Sequence, residues 1–223
     1  INKMKKLENF INKKKIVYVG LSADILHEGH INILKTANKL GDVIVGLLTD
    51  AAIASYKKIP TLNYKQREIV LKNISLVKRV IPQHTLDYRP NLKLITPNFV
   101  VHGDDWKTGV QKITRNQVIS TLKIWGGKLI EPKYTKNISS TSIKSKLTNY
   151  LTPTSRVSIL KRLIDNRKIV RIMESHSPLC GLIVENIKYN KAKITKYFDG
   201  MWSSSLTDST VKGKPDNQAL DFS

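Results

Sequence analysis

Ile16-Val17-Tyr18-Val19-Gly20 runs directly into Asp24-Ile25-Leu26-His27-Glu28-Gly29-His30, and this stretch decides the fold. Its first part follows the basic Lys14-Lys15 pair and is a continuous apolar run, the pattern of a buried strand over Lys14–Val19 that stops at Gly20. Beyond it, Ile31, Ile33, Leu34, Ala37 and Leu40 recur at helical spacing and stop at Gly41. Two histidines three residues apart, with a glycine between, therefore sit in the turn from a buried strand to a helix.

The same alternation continues outward. Val43–Leu48 reads as a second strand, with Asp50 as N-cap of a short helix reaching about Tyr56. Tyr64–Asn73 reads as a helix, Val77–Ile81 as a strand and Asn98–Val101 as a fourth strand. Val110–Trp125 reads as a helix closed by Gly126-Gly127, Lys128–Ile130 as a fifth strand, and Ser139–Tyr150 as a closing helix. Strands that are apolar throughout and alternate with helices predict a parallel sheet covered on both faces. Such sheets bind ligands at the carboxyl ends of their strands. A boundary is expected near Leu151-Thr-Pro153-Thr, separating a domain over 14–150 from a second part over 155–223. In that part Ser155–Asn166 reads as helix, Ile169–Met173 as strand, Leu179–Ile187 as helix and Tyr197–Trp202 as strand.

Composition bounds the rest. At 223 residues, with 40% hydrophobic and 25% charged side chains, the chain has material for a sizeable core. No run of eighteen apolar residues suits a transmembrane span, and the basic N-terminal stretch lacks the apolar segment of a secretory leader. Cys180 is the only cysteine, so no internal disulfide forms. A reducing, cytoplasmic setting is expected. The net charge of +21 attracts polyanions in general. Lysines scattered through an Asn- and Ile-rich chain read more simply as a solvated surface, and no nucleic-acid-binding signature is present, so no specific nucleic acid is expected.

Three chemistries suit His27-Glu-Gly29-His30. A helix N-terminus favours anions through its free N–H groups and dipole, Gly29 permits close approach, and imidazoles supply donors to phosphate oxygens. A metal site would need further ligands, with His84 and His102 lying in separate loops. Two loop histidines satisfied by their surroundings are the third reading.

The spacing resembles the His-x-Gly-His signature of the cytidylyltransferase branch of the nucleotidyltransferase superfamily. Asp24 stands three residues before His27, as in that family. Lys57 and Asn63-Tyr-Lys-Gln-Arg67 follow in the expected order, then His102-Gly103-Asp104-Asp105-Trp106 and Ile138-Ser139-Ser140-Thr141-Ser142. The resemblance spans roughly Lys15–Leu147 and implies a Rossmann-like, doubly wound nucleotidyltransferase domain. It implies that His27, His30 and Lys57 are catalytic contacts to the phosphates of CTP. Gly20, Asp24, Gly29, Arg67, Gly103, Asp104 and Asp105 would shape the nucleotide site, and Ser139, Ser140, Thr141 and Ser142 would bind phosphate at a second helix start. Trp106 has two readings, a stacking face for cytosine or a cover for the core. The family's arginine just before the Ser-Thr segment is absent. Lys136 stands in its region, and a lysine does not reproduce a bidentate guanidinium clamp. Mg²⁺ is implied with CTP, without a secure ligand set.

Arg171-Ile-Met-Glu-Ser175-His176 through Phe198-Asp-Gly-Met-Trp202-Ser-Ser-Ser-Leu206 resembles the opening of phosphoenolpyruvate mutase, an isocitrate lyase-type (β/α)₈ barrel. That resemblance makes Trp202, Ser204, Ser205 and Leu206 the counterparts of its phosphoryl-holding segment, and Asp216 that of a following aspartate that helps close the site. A whole barrel takes about 250 residues, so only its beginning is expected here, as the front of a longer two-domain protein. The unpaired barrel edges are an association hazard, and a homo-oligomer is expected. The pairing of domains implies transfer of CMP to a phosphonate such as 2-aminoethylphosphonate with release of pyrophosphate. The alternatives are a non-catalytic nucleotide sensor for the mutase and an adenylyltransferase.

Overall fold

A computed structural model describes residues 14–107, 111–133, 135, 143, 153–167, 169–191 and 194–215. The chain divides into two compact units, Ile1–Ile159 and Leu160–Ser223.

In the first unit β1 (Ile16–Leu21), β2 (Asp42–Leu48), β3 (Arg79–Gln83), β4 (Phe99–Val101) and β5 (Lys128–Ile130) form one sheet in the order β3-β2-β1-β4-β5. Every pairing is parallel, with Val17 opposite both Val43 and Phe99. Successive residues of β1 point to opposite faces. Val17, Val19 and Leu21 pack with Leu34 and Ala37 of α1 (Glu28–Leu40), whereas Tyr18 packs with Val100, Leu92, Val118 and Leu122 on the other face. Both faces are thus buried, which is why the strands read as unbroken apolar runs. The order reverses direction at β1, so the carboxyl ends of β1 and β4 open a crevice at the switch point.

The structure moves several boundaries. Thr49, not Asp50, caps α2 (Asp50–Ala54), its hydroxyl accepting from the Ala52 amide at 3.2 Å. Asp50 is the first helical residue, and its carboxylate is drawn instead to Arg67. Asn63 and Gln66 form a reciprocal capping box on α3 (Tyr64–Lys72), which gives the Asn-x-x-x-Arg spacing a structural purpose. The strand expected at Val77–Ile81 runs Arg79–Gln83. A short helix, α4 (Arg89–Ile95), was not anticipated; it has Pro90 in its first turn and ends at Thr96 in the left-handed region. It spans too few turns to show a stripe. α5 (Lys112–Lys123) precedes β5. The closing helix expected over 139–150 lies, apart from Ile143, outside the described residues.

α6 (Pro153–Asn166) carries the chain past the boundary. The second unit contains β6 (Ile172–Glu174), α7 (Pro178–Asn186), an antiparallel hairpin of β7 (Tyr189–Lys191) and β8 (Ile194–Lys196), then β9 (Gly200–Trp202) and α8 (Ser205–Val211). Asp199 anchors it, pairing with Arg167 and accepting from the Arg171 amide at 3.0 Å. The β6–β9 pair is parallel, with Ile172 opposite Gly200. The β7–β8 hairpin was not expected from the sequence, and the serine-rich stretch after β9 leads into α8. Ser204 caps α8 by accepting from the Thr207 amide at 3.5 Å. No helix among the described residues is long and apolar enough to cross a membrane.

Candidate active site

The crevice holds a cavity of about 320 Å³ lined by the end of β1, the first turn of α1, Lys57, and the turn after β4. β1 runs one residue past the expected stop at Gly20, which is still paired with Gly46, and a Cβ on Gly20 would stand 2.3 Å from the Tyr88 hydroxyl. Only glycine lets the strand pass so close to that buried ring.

His27 is the N-cap of α1. Its Nδ1 accepts from the Gly29 amide at 3.2 Å, and the His30 Nδ1 accepts from the His27 amide at 3.4 Å. The two histidines therefore form a reciprocal cap that serine and glutamate supply elsewhere. An Nδ1 that accepts leaves the proton on Nε2, so both rings are neutral Nε2–H donors. Their centroids are 4.1 Å apart. Burial lowers His27 below the ordinary histidine range, opposed by Glu28. Burial, then His27 and Lys57, lower His30 to about 4. The sequence suggested that backbone N–H groups would meet phosphate directly. Gly29 instead gives its N–H to an imidazole, and the imidazole presents a donor of its own.

The low value of His30 predicts a pH effect on stability. Its unfolded counterpart titrates near 6.5, so between about 6.5 and about 4 the unfolded chain binds the extra proton. Stability is therefore full above pH 6.5 and is lost as pH falls toward 4. Thermal unfolding followed by circular dichroism should show this fall, and His30→Gln should make it shallower.

Lys57 Nζ donates to Ser22 Oγ at 3.1 Å and lies 5.3 Å from the Tyr56 ring centroid, on the lining near His30. Gly103, Asp105 and Trp106 also line the cavity. Trp106 is 1% exposed, and its ring stacks on His102 at 3.8 Å and 8°. It serves both as core cover and as a wall of the cavity. The His102 Nδ1 lies 2.8 Å from the Gly103 carbonyl, which only accepts, so Nδ1 carries the proton. Burial lowers His102, against the opposing pull of Gly103, Asp105 and Glu131.

Three expected contacts do not line the cavity. Asp24 is buried, its Oδ1 accepting from the Thr61 and Leu62 amides at 2.7 and 3.1 Å, so it anchors the loop before α3. Arg67, 1% exposed, donates to the carbonyls of Leu62, Ser22 and Leu48 and to Asp50 at 2.6 Å. It holds the ends of β1 and β2 rather than a phosphate. Asp104 lies in the 3₁₀ turn Asp104–Lys107, its amide bonded to the Pro132 carbonyl at 3.2 Å. Lys136, Ser139, Ser140, Thr141, Ser142 and Asp216 lie outside the described residues. In the second unit Trp202 and Leu206 are exposed at 63% and 58%.

Sequence reasoning passed over Tyr88, the lining role of His102, and Glu131, which receives Trp106 Nε1. Nothing local marks Tyr88; it arrives by the fold, next to Gly20. Among the described residues no group of three or more His, Cys, Asp and Glu gathers to hold a metal ion.

A family model described as cytidylyltransferase-like matches residues 18–146. The chain belongs to the cytidylyltransferase-like family. Glycerol-3-phosphate cytidylyltransferase of Bacillus subtilis is 32% identical over 123 residues, covering 50% of this chain and 94% of that protein. Ethanolamine-phosphate cytidylyltransferase of Dictyostelium discoideum is 30% identical over 191 residues, 75% of this chain. The chain spans 53% of the length of that second relative. Among solved structures, the lipopolysaccharide core biosynthesis protein of Thermoplasma volcanium is 25% identical, over 56% of this chain and 99% of that one, with a TM-score of 0.47. The family match covers the whole cavity lining, from Val19 to Thr135.

Proposed function

We propose that the first unit transfers CMP from CTP to a small aminoalkyl phosphonate, with 2-aminoethylphosphonate the leading acceptor. The observation that carries the transfer is the pair of neutral Nε2–H donors held by a reciprocal cap at the strand-to-helix turn, beside Lys57. A phosphonate oxygen attacks the α-phosphorus in line, a new P–O bond forms, and the bond to the bridging oxygen breaks to release pyrophosphate. Such a reaction needs positioning and charge neutralisation rather than covalent help. His27 and His30 donate to the phosphate oxygens as charge shifts toward the leaving group, and Lys57 neutralises it.

Mg²⁺ supplies charge neutralisation when bound with the triphosphate. Asp105 is the only carboxylate among the described lining residues, which fits an ion held mostly by phosphate and water.

Two features support the phosphonate. Residues 171–206 resemble the start of a mutase that makes carbon–phosphorus bonds, and 2-aminoethylphosphonate is ethanolamine phosphate without its ester oxygen, the substrate named for the Dictyostelium relative. The mutase part, the cytoplasmic setting and a homo-oligomeric state belong to the same proposal. Pyrophosphate release should be measured with CTP or ATP against 2-aminoethylphosphonate, ethanolamine phosphate and glycerol 3-phosphate. The expected ranking puts CTP with the phosphonate first. A clear preference for either phosphate ester removes the phosphonate, and preference for ATP makes the domain an adenylyltransferase.

A further inference from the structure

We propose that Glu131 is a positioning residue of the nucleotide cavity, acting through Trp106; this rests on the nucleotide-site reading above. Glu131 follows β5 directly, where the strand's carboxyl end reaches the crevice rim. Its Oε1 accepts from Trp106 Nε1 at 2.7 Å and from Arg115 Nε at 2.8 Å, while Oε2 accepts from Arg115 Nη2 at 2.8 Å. One carboxylate thus joins three elements: the 3₁₀ turn after β4, α5 and the end of β5.

The geometry runs on into the cavity. Trp106 is 1% exposed yet among the cavity-lining residues, and its ring lies flat on His102, which also lines the cavity. The indole has a single donor, and that donor is spent on Glu131. Rotation of the indole about its side-chain bonds would break this bond and the stack together. The two-pronged contact with Arg115 fixes the carboxylate in turn, because a fork-to-fork pair sets direction as well as distance. The hydrogen bonds from Arg115 and then Trp106 hold Glu131 at about 2, below the usual carboxylate range, so it stays ionised throughout the working pH range.

The neighbouring bonds have the same purpose. The His102 amide donates to the Ile130 carbonyl and the Asp104 amide to the Pro132 carbonyl, both at 3.2 Å. Backbone bonds on each side of Glu131 therefore align the two loops, and the side chain sets the one large ring between them. Glu131 touches no reacting atom; it sets the position of a wall that does face the substrate.

The test is a double-mutant cycle with Glu131→Gln, Trp106→Phe and both together. CTP affinity is read by calorimetry, and KM and kcat are read with the best acceptor. Phenylalanine keeps a flat ring but has no N–H, so it removes the link while leaving a wall. Each single variant should weaken CTP by about tenfold, the scale of one charge-assisted hydrogen bond. In turnover the loss should fall on KM rather than kcat. The double variant should be no worse than Trp106→Phe alone, since the pathway is already cut. Unchanged CTP affinity in Glu131→Gln, or losses that add, would overturn the inference. If Glu131→Gln does not fold, Trp106→Phe alone decides, with unchanged CTP affinity overturning it. CTP binding that weakens as expected in a protein without turnover would remove the transferase reading and leave this one standing.

Discussion

Replacing His30 by alanine is expected to lower turnover with CTP by on the order of 10²–10⁴-fold, the range for removing a positioned donor or proton-transfer group at the reacting phosphates. The ring does two things that alanine does neither of. Its Nδ1 accepts the His27 amide at 3.4 Å, which holds the entry to α1, and its Nε2–H remains to meet phosphate. Glutamine separates the two. A side-chain carbonyl restores an acceptor for the amide, while its NH₂ group lies off the imidazole's axis and cannot follow charge as a ring does. His30→Gln should therefore recover thermal stability but little turnover. Recovery of both would mean that His30 is a helix cap and that the chemistry lies elsewhere.

The largest effect on stability is expected at Arg67. Arg67→Met should destabilise the first unit by about 3–5 kcal/mol, the cost of removing one partner of a buried ion pair. The guanidinium is fully buried, with Asp50 at 2.6 Å, and it serves three backbone carbonyls besides. Methionine fills much of the space but removes the Arg67 hydrogen bonds to Asp50 and to those carbonyls. Arg67→Lys keeps the charge but not the fork, so it should regain less than half of the loss. Urea unfolding followed by circular dichroism measures both. A loss below about 1 kcal/mol for Arg67→Met would show that the network relaxes around the change. Activity should fall along with stability, because the Ser22 carbonyl held by Arg67 belongs to the residue whose hydroxyl receives Lys57.

The five strands and their parallel character were legible, most plainly in β1 and β2, which are largely buried and have few polar interruptions; the order of the strands was not. The His27–His30 turn was legible because two histidines and a glycine between a strand and a helix have few structural uses. What the sequence hid was the direction of side chains. Asp24 and Arg67 lie within the motifs as clearly as His27 does, yet they point into the loop network and hold the site from behind. A motif records which residues the site needs, and it does not separate those that touch substrate from those that support them. Tyr88 and Glu131 were invisible for the opposite reason. They lie in unmarked sequence: Tyr88 reaches the cavity through the fold, and Glu131 meets it only through Trp106, and neither route leaves a local pattern. The β7–β8 hairpin escaped because three-residue strands fall below the length at which alternation shows.

The most direct test is phosphorus NMR of the protein incubated with CTP, Mg²⁺ and 2-aminoethylphosphonate. Transfer predicts a coupled pair of resonances from a phosphonate–phosphate anhydride, growing in step with pyrophosphate and absent with His30→Ala. CTP that stays intact with every acceptor while still binding the protein would contradict the transferase account and leave a nucleotide sensor in its place.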